Sequence, residues 1–108
     1  MADIKKDDEV IIPAHTYCAS AIPFARNGAK IIWADINFKT RVADLIDVKR
    51  KITSKTKAII LVHLYGYALD FKEIISYCKK RKIKIIEDCA QALGAEIDGK
   101  KAGSLGDF

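Results

Sequence analysis

Four short apolar runs in this sequence are each followed by residues that could do chemistry: His15-Thr16-Tyr17, Asp35, His63-Leu64-Tyr65-Gly66 and Glu87-Asp88-Cys89-Ala90-Gln91. Carboxylates, imidazoles and phenols can hold or exchange protons, and aromatic faces can hold a planar ligand. Taken singly, each has a plainer use. A carboxylate behind a strand commonly caps a turn, and a lone histidine commonly satisfies a framework hydrogen bond. Their convergence is what points to a small-molecule site, because ligands of open parallel sheets bind beyond the carboxyl ends of the strands. Other chemistries lack their motifs. No GxGxxG or GxxxxGK[ST] cradles a phosphate, no HExxH or paired Cys/His spacing suits zinc, and no GxSxG elbow presents a nucleophile. Asp35 and Asp88 could share a magnesium ion, but that chemistry needs acidic residues after the first run, where Pro13-Ala14-His15 stands. No metal site is expected.

The elements that must position these residues alternate in type. Residues 9–12, 30–34, 58–62 and 83–86 are short, rich in β-branched side chains and almost continuously apolar, as strands covered on both faces should be. Pro13 ends the first. Asp70, with Glu73 three residues on, offers a capping box ahead of the stripe Phe71, Ile74, Ile75 and Cys78. Residues 44–52 carry Leu45, Val48 and Ile52 on one side of a second helix. Residues 16–26 read as helical apart from Pro23, which breaks the run unless the helix proper starts near Ala21. Asn27-Gly28 supplies a left-handed stop. This alternation predicts an α/β fold, a mostly parallel sheet with flanking helices and right-handed crossovers. Residues 94–103 read as a hairpin turning at Asp98-Gly99.

Composition bounds the answer. With 108 residues, 50% hydrophobic and 31% charged, the chain is one domain at most and too apolar for wholesale disorder. The longest apolar run, residues 58–62, is far short of a bilayer span. The opening MADIKKDDEV lacks the apolar centre of a signal peptide. No membrane association and a cytoplasmic location are expected. Cys18, Cys78 and Cys89 are odd in number and widely spaced, which predicts reduced thiols. The net charge of +5 is concentrated in residues 49–57 and 79–84, where cations complement helix C-termini. No aromatic residues interleave with them as a base-stacking groove would require, so no nucleic-acid partner is expected.

Four segments together carry a resemblance: DEVIIPAHTYCAS, TKAIILVHLYG, IIEDCAQALGA and GKKAGSLGDF. In order and spacing they resemble the DegT/DnrJ/EryC1/StrS family of pyridoxal-phosphate (PLP) aminotransferases, which act mainly on nucleotide-linked keto-sugars. The likeness runs from about Asp8 to Phe108. It implies the large domain of fold type I PLP-dependent transferases, with the second strand at an edge, then the first, third and fourth. The implied sheet reverses direction of growth between the first and third strands, where the residues themselves place a ligand site.

Site roles follow from the matching motifs. Asp88, in EDCAQA, resembles the carboxylate facing the pyridine nitrogen of PLP, where an anion favours the protonated ring. Gln91 matches the residue that meets the cofactor near its phenolic oxygen, and Tyr17, in PAHTY, matches the aromatic that stacks on the ring. Glu87 precedes Asp88 and, by strand alternation, points to the other face. His63 is expected in a supporting or structural role, and Ser104 as a loop residue rather than a phosphate ligand. Cys89 has no base placed beside it in the sequence and is not expected to be a nucleophile.

The resemblance also implies what these residues do not include. The family's Schiff-base lysine lies a short way beyond the GSLGD segment, after a Ser-Phe pair that contacts the cofactor phosphate, and no lysine here matches it. The phosphate-binding loop lies upstream of the first strand. Residues 1–108 would thus form a partial PLP-binding large domain, incomplete at both ends and inactive alone. The complete enzyme would be a homodimer taking a nucleotide-sugar and an amino donor, in amino-sugar, polysaccharide or lipopolysaccharide biosynthesis. A non-enzymatic binding or regulatory module that keeps part of the pocket is the alternative. Taken alone, the chain is expected to leave the edge of its fourth strand open and to associate or dissolve poorly.

Overall fold

A computed structural model describes residues 3–68 and 70–108. Four parallel strands form one sheet: β1 (Glu9–Pro13), β2 (Lys30–Ala34), β3 (Thr56–Val62) and β4 (Lys84–Asp88), in the order β2-β1-β3-β4. β5 (Glu96–Ile97) and β6 (Lys100–Lys101) make the separate hairpin, with Asp98 and Gly99 both at positive φ as a tight two-residue turn requires. The expected strands, their order and the hairpin turn are all present. Pro13 is tolerated inside central β1 because pairing with β3 stops at Ile11↔Ile59, so its missing N–H falls past that ladder.

Helices α1 (Ile22–Arg26), α2 (Leu45–Lys51) and α3 (Lys72–Lys79) complete the crossovers. Asp44 caps α2, its side chain accepting the N–H groups of Ile46 and Asp47. The long helix expected over residues 16–26 is instead two pieces, a single 3-10 turn (Cys18–Ser20) and α1. Pro23 sits in the first turn of α1, where its missing N–H costs nothing. The capping box expected at Asp70 is also revised. Phe71 takes the cap position, Asp70 accepts the Lys72 N–H (2.9 Å), and Glu73 pairs with Lys49 of α2 rather than reaching back.

Alternation along the strands divides the core between the two faces of the sheet. Ile11, Ile59, Leu61 and Ile85 face Val48, Phe71, Ile74 and Cys78 of the α2–α3 layer. Val10, Ile12, Ala58, Ile60 and Val62 face Ala21 and Leu64, with Phe24 of α1 packed against them. The outer edge of β4 is not bare, contrary to expectation. Asp107 N–H donates to Ile85 O (2.8 Å), Glu87 N–H donates to Phe108 O (2.9 Å), and the Asp107 carboxylate accepts the Ile85 N–H (2.9 Å). Apolar side chains are exposed elsewhere, notably Trp33 on edge strand β2, Phe38, Ile46 and Leu93.

The β2–α2 connection rests on buried Asp47. It accepts the Asp35 N–H (2.7 Å), Lys51 Nζ (2.6 Å) and Arg50 Nη2 (2.7 Å). The Asp35 N–H, then Lys51 and Arg50, outweigh partial burial and hold its pKa down to about 2 against the ordinary 3.8. A carboxyl depressed by folding contributes stability that is complete above its unfolded pKa and fades as pH falls through the folded one. Asp47→Asn is therefore expected to remove part of the acid slope of stability between about pH 4 and pH 2, read by urea unfolding at each pH. An unaltered slope would refute this.

Candidate functional site

Because β1 lies between β2 and β3, the sheet's reversal falls between β1 and β3, and the segments after β1, β3 and β4 share its carboxyl rim. Asp88 ends β4, opposite Val62 of β3. Its two oxygens are held separately: Ser20 Oγ donates to Oδ2 (2.6 Å) and the Ala90 N–H to Oδ1 (3.1 Å). Ser20 was not among the sequence candidates. Its only sequence signal is its place three residues after Tyr17, one turn on, where the Ser20 N–H donates to Tyr17 O (3.0 Å).

Tyr17 stands at the start of this turn and is 72% exposed as a residue, which leaves its aromatic side chain accessible to a planar ligand. Gln91 Oε1 accepts the backbone N–H of Tyr65 (3.0 Å), which makes the amide NH2 its donating end. That contact steadies a strained turn, since Tyr65 sits at φ 56° within Leu64–Gly66. The Tyr65 hydroxyl lies 3.4 Å from His15 Nε2, with the two rings edge to face, and His15 Nδ1 lies 3.2 Å from Arg41 O. A carbonyl only accepts, so His15 Nδ1 is the donor to Arg41 O. Asp35 falls outside this group. It accepts its neighbour Ile36's N–H (2.7 Å) and serves the β2–α2 connection.

Glu87 points away from Asp88, into a buried clasp. His63 Nε2 lies 2.8 Å from Oε2, and the N–H groups of Gly103 (3.0 Å), Leu105 (2.7 Å) and Gly106 (2.5 Å) converge on the same carboxylate. Burial alone would raise its pKa, but the Gly103 and Gly106 amides, His63 and Leu105 together hold it below the ordinary carboxylate value. An ionised carboxylate only accepts, so His63 Nε2 is the donor in this pair. This clasp explains GSLGD. A Cβ at Gly106 would stand 2.9 Å from Ile85 O, and Gly103 has φ +88°, a left-handed backbone that favours glycine, with Cys89 Sγ 3.3 Å from where a Cβ would stand. Ser104 Oγ donates to Lys101 O (2.7 Å) within the same loop.

The structure corrects one inference about Cys89. His63, Glu87 and Cys89 offer ligand atoms all within 4.8 Å of one another, so a histidine does stand beside the thiol. Burial, then the charges of Glu87 and Asp88, push that thiol upward, away from a reactive thiolate. Glu87 is engaged by four donors, so a metal would have to displace the clasp. On the α3 side, Tyr77 does stand among the cations. Arg81 covers its ring at 3.7 Å, so that face is already occupied rather than open for base stacking.

The parallel sheet, its reversal and a tethered carboxylate define an α/β domain with a candidate small-molecule site at its carboxyl rim. A family model described as the DegT/DnrJ/EryC1/StrS aminotransferase family matches residues 1–108, and the chain belongs to that family. It is 48% identical over 105 residues to a dTDP-3-amino-3,6-dideoxy-alpha-D-galactopyranose transaminase of Aneurinibacillus thermoaerophilus, covering 97% of this chain and 29% of the relative. The crystal structure of an aminotransferase from Psychrobacter cryohalolentis superposes with a TM-score of 0.92 at 36% identity, covering 97% of this chain and 27% of that one. A structure of E. coli GDP-4-keto-6-deoxy-D-mannose-3-dehydratase with bound hydrated PLP gives 0.88 at 34% identity, covering 94% and 26%. The chain thus spans under a third of the length of these relatives.

The rim residues fit the ring of that cofactor chemically. Asp88 is a carboxylate that would suit a protonated ring nitrogen, Gln91 carries an amide donor that would suit a phenolic oxygen, and Tyr17 is an exposed aromatic that would suit a planar ring. All three cysteines are free, and among the described residues no helix is long and apolar enough to cross a membrane.

Proposed function

We propose that these residues are the ring-holding part of a PLP-dependent aminotransferase that moves an amino group between an amino donor and a nucleotide-linked keto-sugar, in the cytoplasm and as a homodimer. The single observation that carries this reading is Asp88, fixed at both oxygens on the rim beside the sheet's reversal. When bound, PLP supplies an electron sink whose strength depends on protonation of its ring nitrogen. Asp88 keeps that proton in place by opposing it with a fixed negative charge. Gln91 donates toward the phenolic oxygen and so sets the ring's rotation, while Tyr17 sets its plane. Glu87 and His63 act one layer behind, anchoring loop 103–106 against β4.

In this reading the 108 residues alone lack the covalent anchor and are inactive. Incubated with PLP, an amino donor and a nucleotide keto-sugar, they are expected to give no transamination and no single lysine fixed by borohydride. A defined modified lysine accompanied by turnover would overturn this.

A further inference from the structure

Asp88 can oppose a ring nitrogen only if its carboxylate is held in one direction. Its backbone ends a strand, and a carboxylate there has free rotation about two side-chain bonds unless something restrains it. The Ala90 N–H holds Oδ1 locally. The second restraint comes from 68 residues away, where Ser20 Oγ stands 2.6 Å from Oδ2. Ser20 is itself 9% exposed and has a further partner, Thr16 Oγ1, at 2.9 Å.

The proton order in this chain follows from donor arithmetic. The carboxylate only accepts, so Ser20's single hydroxyl hydrogen goes to Asp88, and Thr16 must then donate to Ser20 Oγ. Two hydroxyl dipoles therefore align toward one anion, each polarising the next. The turn that carries them, residues 16–20, also carries Tyr17. The same backbone turn thus sets the aromatic face and the carboxylate, and fixes their relative position.

We infer that Ser20, backed by Thr16, is a positioning residue that locks Asp88 toward the ring nitrogen of the cofactor. The inference rests on the proposed role of Asp88, yet the lock itself is measurable without any ligand. Three-bond couplings in the labelled 108-residue chain are expected to give a single χ1 rotamer for Asp88 in the native protein and in Ser20→Thr. In Ser20→Ala they are expected to average over rotamers, and Thr16→Val, which removes only the outer hydroxyl, should give a partial loss. A single Asp88 rotamer in Ser20→Ala would overturn the inference whatever the ligand does.

Pyridoxamine phosphate, which needs no lysine, supplies the second arm by calorimetry. Its affinity should fall by up to about tenfold in Ser20→Ala, the cost of immobilising on binding a side chain that the native chain already holds ready, and return to within about twofold of native in Ser20→Thr. Equal weakening in both variants would count against a lock through the hydroxyl. Failure of the native chain to bind at all would instead count against the cofactor reading, leaving the coupling measurement to judge Ser20.

Discussion

Glu87→Ala is expected to unfold the chain or bring it close to unfolding. The substitution leaves the Gly103, Leu105 and Gly106 N–H groups and the His63 Nε2–H facing a cavity with no acceptor. Removing one member of a buried, hydrogen-bonded charge network costs about 3–5 kcal/mol, against a total stability of about 5–15 kcal/mol for a domain of this size. Glu87→Gln is the sharper probe. It keeps the shape but replaces one accepting oxygen by an NH2 that opposes backbone N–H groups, so it too should destabilise, though less. Since folding depresses the Glu87 pKa, its contribution is complete above the ordinary carboxylate pKa and is lost as pH falls through the folded value. Urea unfolding at neutral and acid pH measures all of this. A Glu87→Ala midpoint equal to native would mean that loop 103–106 is held by something else.

Asp88→Asn is expected to leave the fold intact and to weaken pyridoxamine phosphate binding by about tenfold to a hundredfold. Asparagine still offers an oxygen to Ser20, so the turn of residues 16–20 keeps its tether. What changes is the group facing the ring nitrogen, an amide donor or a neutral carbonyl in place of an anion. A charge-assisted hydrogen bond contributes about 1.5–3 kcal/mol, which sets that range. Circular dichroism of the variant should match native, and calorimetry should give the affinity ratio. Unchanged affinity would remove Asp88 from the ring-nitrogen position.

The difference between these two neighbours was only half legible in the sequence. Period-two alternation separates Glu87 from Asp88 onto opposite faces, and the motif context singles out Asp88. Nothing in the chain's patterning reveals that Glu87 binds residues 16 to 19 positions later, because those donors are backbone amides, which every residue carries. The glycines of GSLGD are the trace it leaves, since a Cβ at Gly106 would crowd Ile85 O and Gly103 takes a left-handed φ of +88°. Strands were legible because hydrophobic runs declare them, and the sheet order because the resemblance supplies it. Helix starts were less so. At Asp70 the expected box gave way to an interhelical ion pair between Glu73 and Lys49, a tertiary contact that local spacing does not encode. Ser20 was missed for the same reason, since its partner is 68 residues distant.

The central claim is that the rim of β1, β3 and β4 holds a pyridoxal-type ring. Amide chemical-shift mapping of the isotopically labelled chain during titration with pyridoxamine phosphate tests it most directly. The account predicts that saturable shifts cluster at residues 17–20, at Tyr65 and at residues 88–91, and that they vanish in Asp88→Asn at the same ligand concentration. Shifts confined to the cationic face around Thr53, Lys57 and Arg81, unaffected by Asp88→Asn, would show mere phosphate attraction and contradict it.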